Sequence, residues 1–410
     1  MVITGIGILT ACGVGYESLW KTALAGRSAI RELSNFRSNG SPVRVGGEII
    51  DFRAGDFVKK KKSLKVMSRD IQLAVAASFL AVQDSGISLS QMDPTRSGIT
   101  LGSGLINNDL EELGLGIRQS LDREGRFELG RFGREGIRAL YPLWLLKYLP
   151  NMPACHISIT HGLKGPNNTL LTSSTGCLQA VGEASRVIER DDADLMLAGA
   201  TDSKINPLGL SRLHLLGILS QRNHFPAEVY RPFDRRRDGL VVGEGAGIFV
   251  LEERTHALKR GAPVYGEILS YSAKPGGQER SMQRALEEAR CDLGEISFVH
   301  ANGSGIPGED IQEARSIARV FNGSKRIPVI ASKSIVGHLV DAAGTAELAL
   351  SLLALERKLL PPIVNLQDPD PACDLDFVTQ EPRTTQGRTF LLHASGLGGQ
   401  SAALVVRHEK

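Results

Sequence analysis

The sequence predicts a layered α/β protein, and two observations carry that prediction. Short apolar runs of β character alternate with amphipathic stretches of helical period along nearly the whole chain. Twice, a strand-like run enters a Gly- and Ser-rich turn that opens a long helical pattern: TLLTSSTGCLQAVGEASRVIE, and VIASKSIVGHLVDAAGTAELALSLLALE. Such turns leave backbone N–H groups unpaired at a helix N-terminus, where developing negative charge is stabilised. They also arise for packing reasons alone, so they locate a candidate site without naming its chemistry.

Taken in order, the first residues, MVITGIGILTACGVG, read as a β-strand and lack the basic leader and cleavage site of a signal peptide. Helices are expected at Asp70 to Ser85, Leu178 to Arg190, Arg280 to Arg290, Gly308 to Phe321 and Ala343 to Arg357. Strands are expected at Ser97 to Leu101, Asn168 to Thr172, Leu195 to Gly199, Ala246 to Glu252, Ile296 to Ala301, Val329 to Ser332 and Ala403 to Arg407. Two α/β halves follow, residues 1–254 and 255–410, joined near Arg254 to Pro263. The first half carries an insertion over about 105–150, rich in charge, with the apolar run Tyr141 to Leu149.

Composition narrows the class. A chain of 410 residues with 42% hydrophobic and 23% charged residues can bury a large core. It holds no apolar tract of roughly 18 residues, so no membrane span is expected. A net charge of +3 is too small for a nucleic-acid binder. The run Lys59 to Lys62, beside Lys65 and Arg69, reads as a solvated loop or as a landing site for an acidic carrier protein. Cys12, Cys155, Cys177, Cys291 and Cys373 are odd in number and widely spread, which points to a reducing cytoplasm and to no metal site; no cofactor is expected either.

Four longer strings, ISITHGLKGPNNT, RPFDRRRDGLVVGEGAGIFVLEE, SKSIVGHLVDAAG and SGLGGQSAALVV, resemble the β-ketoacyl-acyl carrier protein synthases over essentially the whole chain and in the family's order. The resemblance implies a thiolase-like five-layered αβαβα fold of two similar halves, acting as a dimer on acyl chains carried by acyl carrier protein. The family's nucleophilic cysteine matches Ser174, counted from Gly165-Pro166. Cys177 lies one helical turn further along and reads as a packing residue instead of a displaced nucleophile.

The family's two active-site histidines hold the malonyl thioester carbonyl. The first matches Asn302, with Gly303 and Asp310 kept and His300 two residues earlier on the strand; the second is retained as His338. The family's lysine and glutamate match Lys333 and Glu347. Asp341 stands where a glycine is usual, and Leu397 replaces the gating phenylalanine whose N–H contributes to the oxyanion hole.

These changes bear on chemistry. A thiol of pKa near ~8.5, lowered at a helix N-terminus, supplies usable thiolate at neutral pH. A serine hydroxyl does not ionise there and requires a positioned base. The pattern therefore looks like the chain-length factor of type II polyketide or aryl polyene systems, a non-condensing subunit that pairs with an active ketosynthase and shapes the tunnel for a phosphopantetheine-bound chain. Serine, where many such subunits carry glutamine, leaves open a second reading. In that reading Ser174 and His338 form a dyad for acyl transfer, hydrolysis or malonyl decarboxylation, which requires a hydrogen bond of about 2.6–3.2 Å between them.

Overall fold

The strand that opens the chain, Val2–Thr10, is buried along its whole length and forms the seam of the molecule. It pairs antiparallel with Glu244–Glu252 on one side and, through Val2 and Ile3, with Gly266–Ser272 on the other. These relations come from a computed structural model that describes residues 1–34, 42–106, 108–273, 277–321 and 327–408. Asn107, within the expected insertion, lies outside the described residues.

From the seam outward, one side runs Glu244–Glu252, Leu195–Ser203, Ser97–Gly102, Asn167–Leu170. The other runs Gly266–Ser272, Ser401–Arg407, Thr389–Ser395, Ile296–His300, Pro328–Ile330, with Asp376–Phe377 at its rim. Numbered in chain order on each side, five strands take the order 3-2-4-5-1 both times. On both sides the two outer ladders are parallel and the two inner ones antiparallel. The two sides are therefore two copies of one architecture.

Helices Gly176–Glu189 and Thr345–Arg357 lie between the copies. Every residue from Thr345 to Leu355 is buried, as a helix covered on both faces requires. The core around these helices draws Ile3, Met196 and Phe249 from one side, and Phe298, Phe390 and Leu404 from the other. Arg69–Ser85 and Met152–His161 cover the outer face of the first copy. Gly277–Ala289 and Pro307–Val320 cover that of the second. This gives the five layers expected.

Two glycines in the opening strand show how tightly the layers meet. A methyl group on Gly7 would lie 2.0 Å from the Ala77 carbonyl oxygen, and one on Gly5 2.3 Å from that of Ala81. The helix thus rests directly on the strand backbone, and Ser68 caps its start by accepting from the Ile71 N–H.

The predicted helices and strands are all present within a few residues of their expected ends. Further strands and helices accompany them. Gly266–Ser272 and Thr389–Ser395 pair at the centre of the second copy, and Tyr16–Leu24 and Met152–His161 are short helices. Within 105–150 the chain forms Leu110–Arg118 and a helical stretch over 129–139 that contains a π turn, Phe132–Gly136. No helix among the described residues is long and apolar enough to cross a membrane.

Candidate active site

The parallel strands of both copies end near one another, and the candidate residues lie on the turns that follow, the position where open α/β sheets carry their sites. Strand Asn167–Leu170 leads into a tight turn, Ser173–Thr175, and then into the central helix Gly176–Glu189. Ser173 takes a left-handed backbone, φ +54°, which reverses the chain abruptly before the helix. Ser174 follows it, fully buried, and its Oγ has no hydrogen-bond partner; neither has Thr172 Oγ1 in the same turn. Cys177 sits in the hydrophobic core with Leu178, and burial pushes its thiol well above its ordinary range, so it packs and does not react.

His338 lies on a turn that is tied to the first copy: its N–H donates to the Val241 carbonyl at 2.7 Å, and its carbonyl accepts from the Gly243 N–H at 2.9 Å. Its ring is buried, and desolvation, helped by the nearby Lys333 charge, depresses its pKa to about 3, so it is neutral at pH 7. The Val340 N–H donates to Nδ1 at 3.0 Å, which leaves the proton of the neutral ring on Nε2. A ring in that state donates and cannot accept a proton at Nε2. The Ser174–His338 dyad is therefore not formed: the serine Oγ has no partner, and the histidine offers no base toward it.

Asn302 is held by Lys333. The ammonium donates to the Asn302 carbonyl at 2.6 Å and to its Oδ1 at 3.1 Å, and pairs with Glu347 Oε1 at 2.8 Å. With Oδ1 occupied, the amide presents its NH₂ end. Burial opposes the charge on Glu347, but Lys333 overrides it and holds the carboxyl at about 2. The Gly344 N–H at the start of the next helix adds a hydrogen bond to Glu347 at 2.9 Å. Asn302, Lys333 and Glu347 thus form one buried unit.

His300 does not join it. Its ring sits between Ser351 Oγ, 2.7 Å from Nδ1, and Ser332 Oγ, 3.1 Å from Nε2, and burial lowers its pKa to about 4. It is a satisfied core histidine. Glu313 and His393, which sequence reading passed over, support the Asn302 turn from behind. Glu313 accepts from the Asn302 and Gly303 N–H groups at 2.7 and 2.8 Å, and lies 2.5 Å from His393 Nδ1. Asp310 closes the same turn by accepting from the Gly305 and Phe233 N–H groups at 3.0 and 2.8 Å; burial raises its carboxyl to about 7.

Leu397 sits in the turn Gly396–Gly399, which packs on Ser173: a methyl group on Gly396 would lie 3.3 Å from Ser173 Cβ. Its side chain joins the cluster of Tyr230, Val242 and Val340. A larger polar cleft of about 780 Å³, lined by Glu48, Arg69, Asp70, Lys147 and Glu244, involves none of Ser174, Asn302 or His338.

With this geometry in place, comparison with known proteins is decisive. The model of the beta-ketoacyl synthase N-terminal domain matches residues 1–257, and that of the C-terminal domain residues 265–367. The chain belongs to the β-ketoacyl synthase family. It is 32% identical to 3-oxoacyl-[acyl-carrier-protein] synthase 2 of Vibrio harveyi, over 99% of this chain and 98% of that protein. It is 34% identical to actinorhodin polyketide putative beta-ketoacyl synthase 1 of Streptomyces coelicolor, over 99% and 88%. Among solved structures it is similar to the ishigamide ketosynthase/chain length factor, with TM-score 0.86, 26% identity and coverage of 100% and 99%.

In this β-ketoacyl synthase family member the fold is thiolase-like and the site holds two neutral donors, His338 Nε2–H and the Asn302 amide. Both can polarise a carbonyl. Neither can take the proton from a serine hydroxyl.

Proposed function

We propose that this β-ketoacyl synthase family member is a non-condensing subunit of chain-length-factor type, working in the cytoplasm as the partner of an active ketosynthase. In this reading it bounds the tunnel into which a carrier-protein-bound polyketide or polyene chain grows. The observation that carries the reading is the state of Ser174: a buried hydroxyl with no base beside it, where condensation needs an ionised or activated nucleophile. An oxygen ester at this position would also be a poorer acyl donor than a thioester.

The surface supports a partner. Strand Asn167–Leu170 is the open edge of the first copy, whereas its counterpart Pro328–Ile330 is covered by Asp376–Phe377. Around the open edge and the 105–150 insertion, Ile159, Leu171, Leu129 and Leu145 are exposed. An edge strand with apolar flanks invites strand pairing with another chain, and a stable interface of about 800 Å² per partner needs such side chains. Lys59, Lys60, Lys61 and Lys62 are exposed and available to an acidic carrier protein with its phosphopantetheine-bound chain.

The donor pair also favours one residual activity, decarboxylation of a malonyl thioester, which needs carbonyl polarisation but no nucleophile. The test is co-expression with a ketosynthase of the same source, native mass spectrometry, and elongation from malonyl carrier protein. A one-to-one complex that elongates only with both chains present, and stops when the partner's cysteine is removed, is the expected result. Elongation by this chain alone would refute the proposal.

A further inference from the structure

The side chain that stands in for the family's glycine does something specific. Asp341 lies in the turn Val340–Ala342, which packs on Ser173–Thr175; its carbonyl oxygen would be 3.3 Å from a methyl on Gly176, the first residue of the helix behind Ser174. Its carboxylate points toward the loop 102–105. A methyl on Gly104 would lie 1.6 Å from Asp341 Oδ2, so Gly104 makes the space that the carboxylate fills.

The charge is answered by Lys204, just past the end of strand Leu195–Ser203. Its ammonium lies 3.1 Å from Asp341 Oδ2, is also bonded to Asp202, and donates to the Leu105 carbonyl at 3.1 Å. Asp202 in turn accepts from the Asp341 N–H at 3.0 Å. All three residues are more than nine-tenths buried, at 8% exposure for Asp341, 9% for Lys204 and 1% for Asp202. The loop 102–105, the turn 340–342 and the strand end 202–204 are thereby stapled together directly against the serine turn.

An acyl chain carried on residue 174 needs an apolar space beside the serine turn. Entry between these elements would mean separating a buried ammonium from two carboxylates, which costs far more than an alkyl chain gains by leaving water. We propose that the Asp341–Lys204–Asp202 triad is a plug that closes this chain's own acyl pocket, so that a dimer built with it has one usable pocket, the partner's. This deepens the chain-length-factor reading and rests on it for the partner, but the closure itself is a property of this chain.

The experiment uses the complex with its ketosynthase. Ser174→Cys provides a trap at the serine position, and intact-mass analysis of this chain follows its alkylation by an N-decyl iodoacetamide. Adding Lys204→Ala and Asp341→Gly is expected to raise the rate of decyl labelling by at least about tenfold over Ser174→Cys alone. Equal rates in the two, including no labelling of either, would overturn the plug. If the triple variant fails to fold, Ser174→Cys with Asp341→Gly alone is read in the same way. Failure of the partner reading is seen separately, as absence of a complex or of joint elongation with the unmodified chain.

Discussion

Lys333 and Lys204 are both buried lysines, yet they are built to different ends. Lys333 faces one carboxylate, Glu347, and spends its remaining donors on two oxygens of Asn302. It is a balanced pair that positions a working residue. Lys204 faces two carboxylates, Asp202 and Asp341, which override burial and raise its pKa, and it spends a further donor on a loop carbonyl. It positions no donor; it holds three backbone segments together. One side of the site preserves the carbonyl-polarising apparatus, and the other is filled with charge. That is the division the proposed non-condensing role calls for.

The comparison can be broken most forcefully at Lys333. Replacing it with Met leaves the Glu347 carboxylate buried and unpaired, and should cost about 3–5 kcal/mol in urea unfolding. Lys333→Met with Glu347→Leu should recover most of that loss, because the uncompensated charge is gone. A double variant as unstable as the single would mean that the pair does more than balance charge.

The histidines give the next largest effect. His338 and His300 have folded-state pKa values depressed to about 3 and 4, below the ordinary value of 6.5. Their contribution is therefore fully present above pH 6.5 and is lost as pH falls toward those values. Between pH 8 and pH 5 each should remove about 2 kcal/mol of stability. His300→Asn should flatten its share of that slope. A stability curve without any acid-side loss in this window would contradict the burial assigned to both rings.

At the plug, the smaller expected effects separate its two functions. Asp341→Asn keeps the volume and removes one of two carboxylates, leaving Lys204 paired with Asp202, and should cost about 1–2 kcal/mol. Gly104→Ala forces a methyl into the carboxylate and should cost about 1–3 kcal/mol through overpacking alone. If Gly104→Ala were neutral, the close fit of loop 102–105 on Asp341 would be looser than described.

Much of this was legible in the sequence, for identifiable reasons. The strands and helices announced themselves through period and turn residues. Ser174, Asn302, Lys333, His338 and Glu347 were found because fixed glycines and prolines anchor their strings. The tautomer of His338 was not legible, since it depends on the Val340 N–H, which a positive φ of 45° turns toward the ring. Nor was the partner of Asp341. Its departure from a family glycine was visible, but Lys204 lies more than a hundred residues away, just past the end of strand Leu195–Ser203, and only the fold brings them together. Glu313 and His393 were missed for the same reason: both support a turn through backbone and ring contacts that leave no local pattern.

The central claim is that Ser174 does no covalent work while the subunit is still required. The most direct measurement is chain elongation by the purified one-to-one complex carrying Ser174→Ala in this chain, alongside the unaltered complex. The account predicts the same products at nearly the same rate. Loss of elongation with the complex intact would contradict it and place Ser174 in a chemical step.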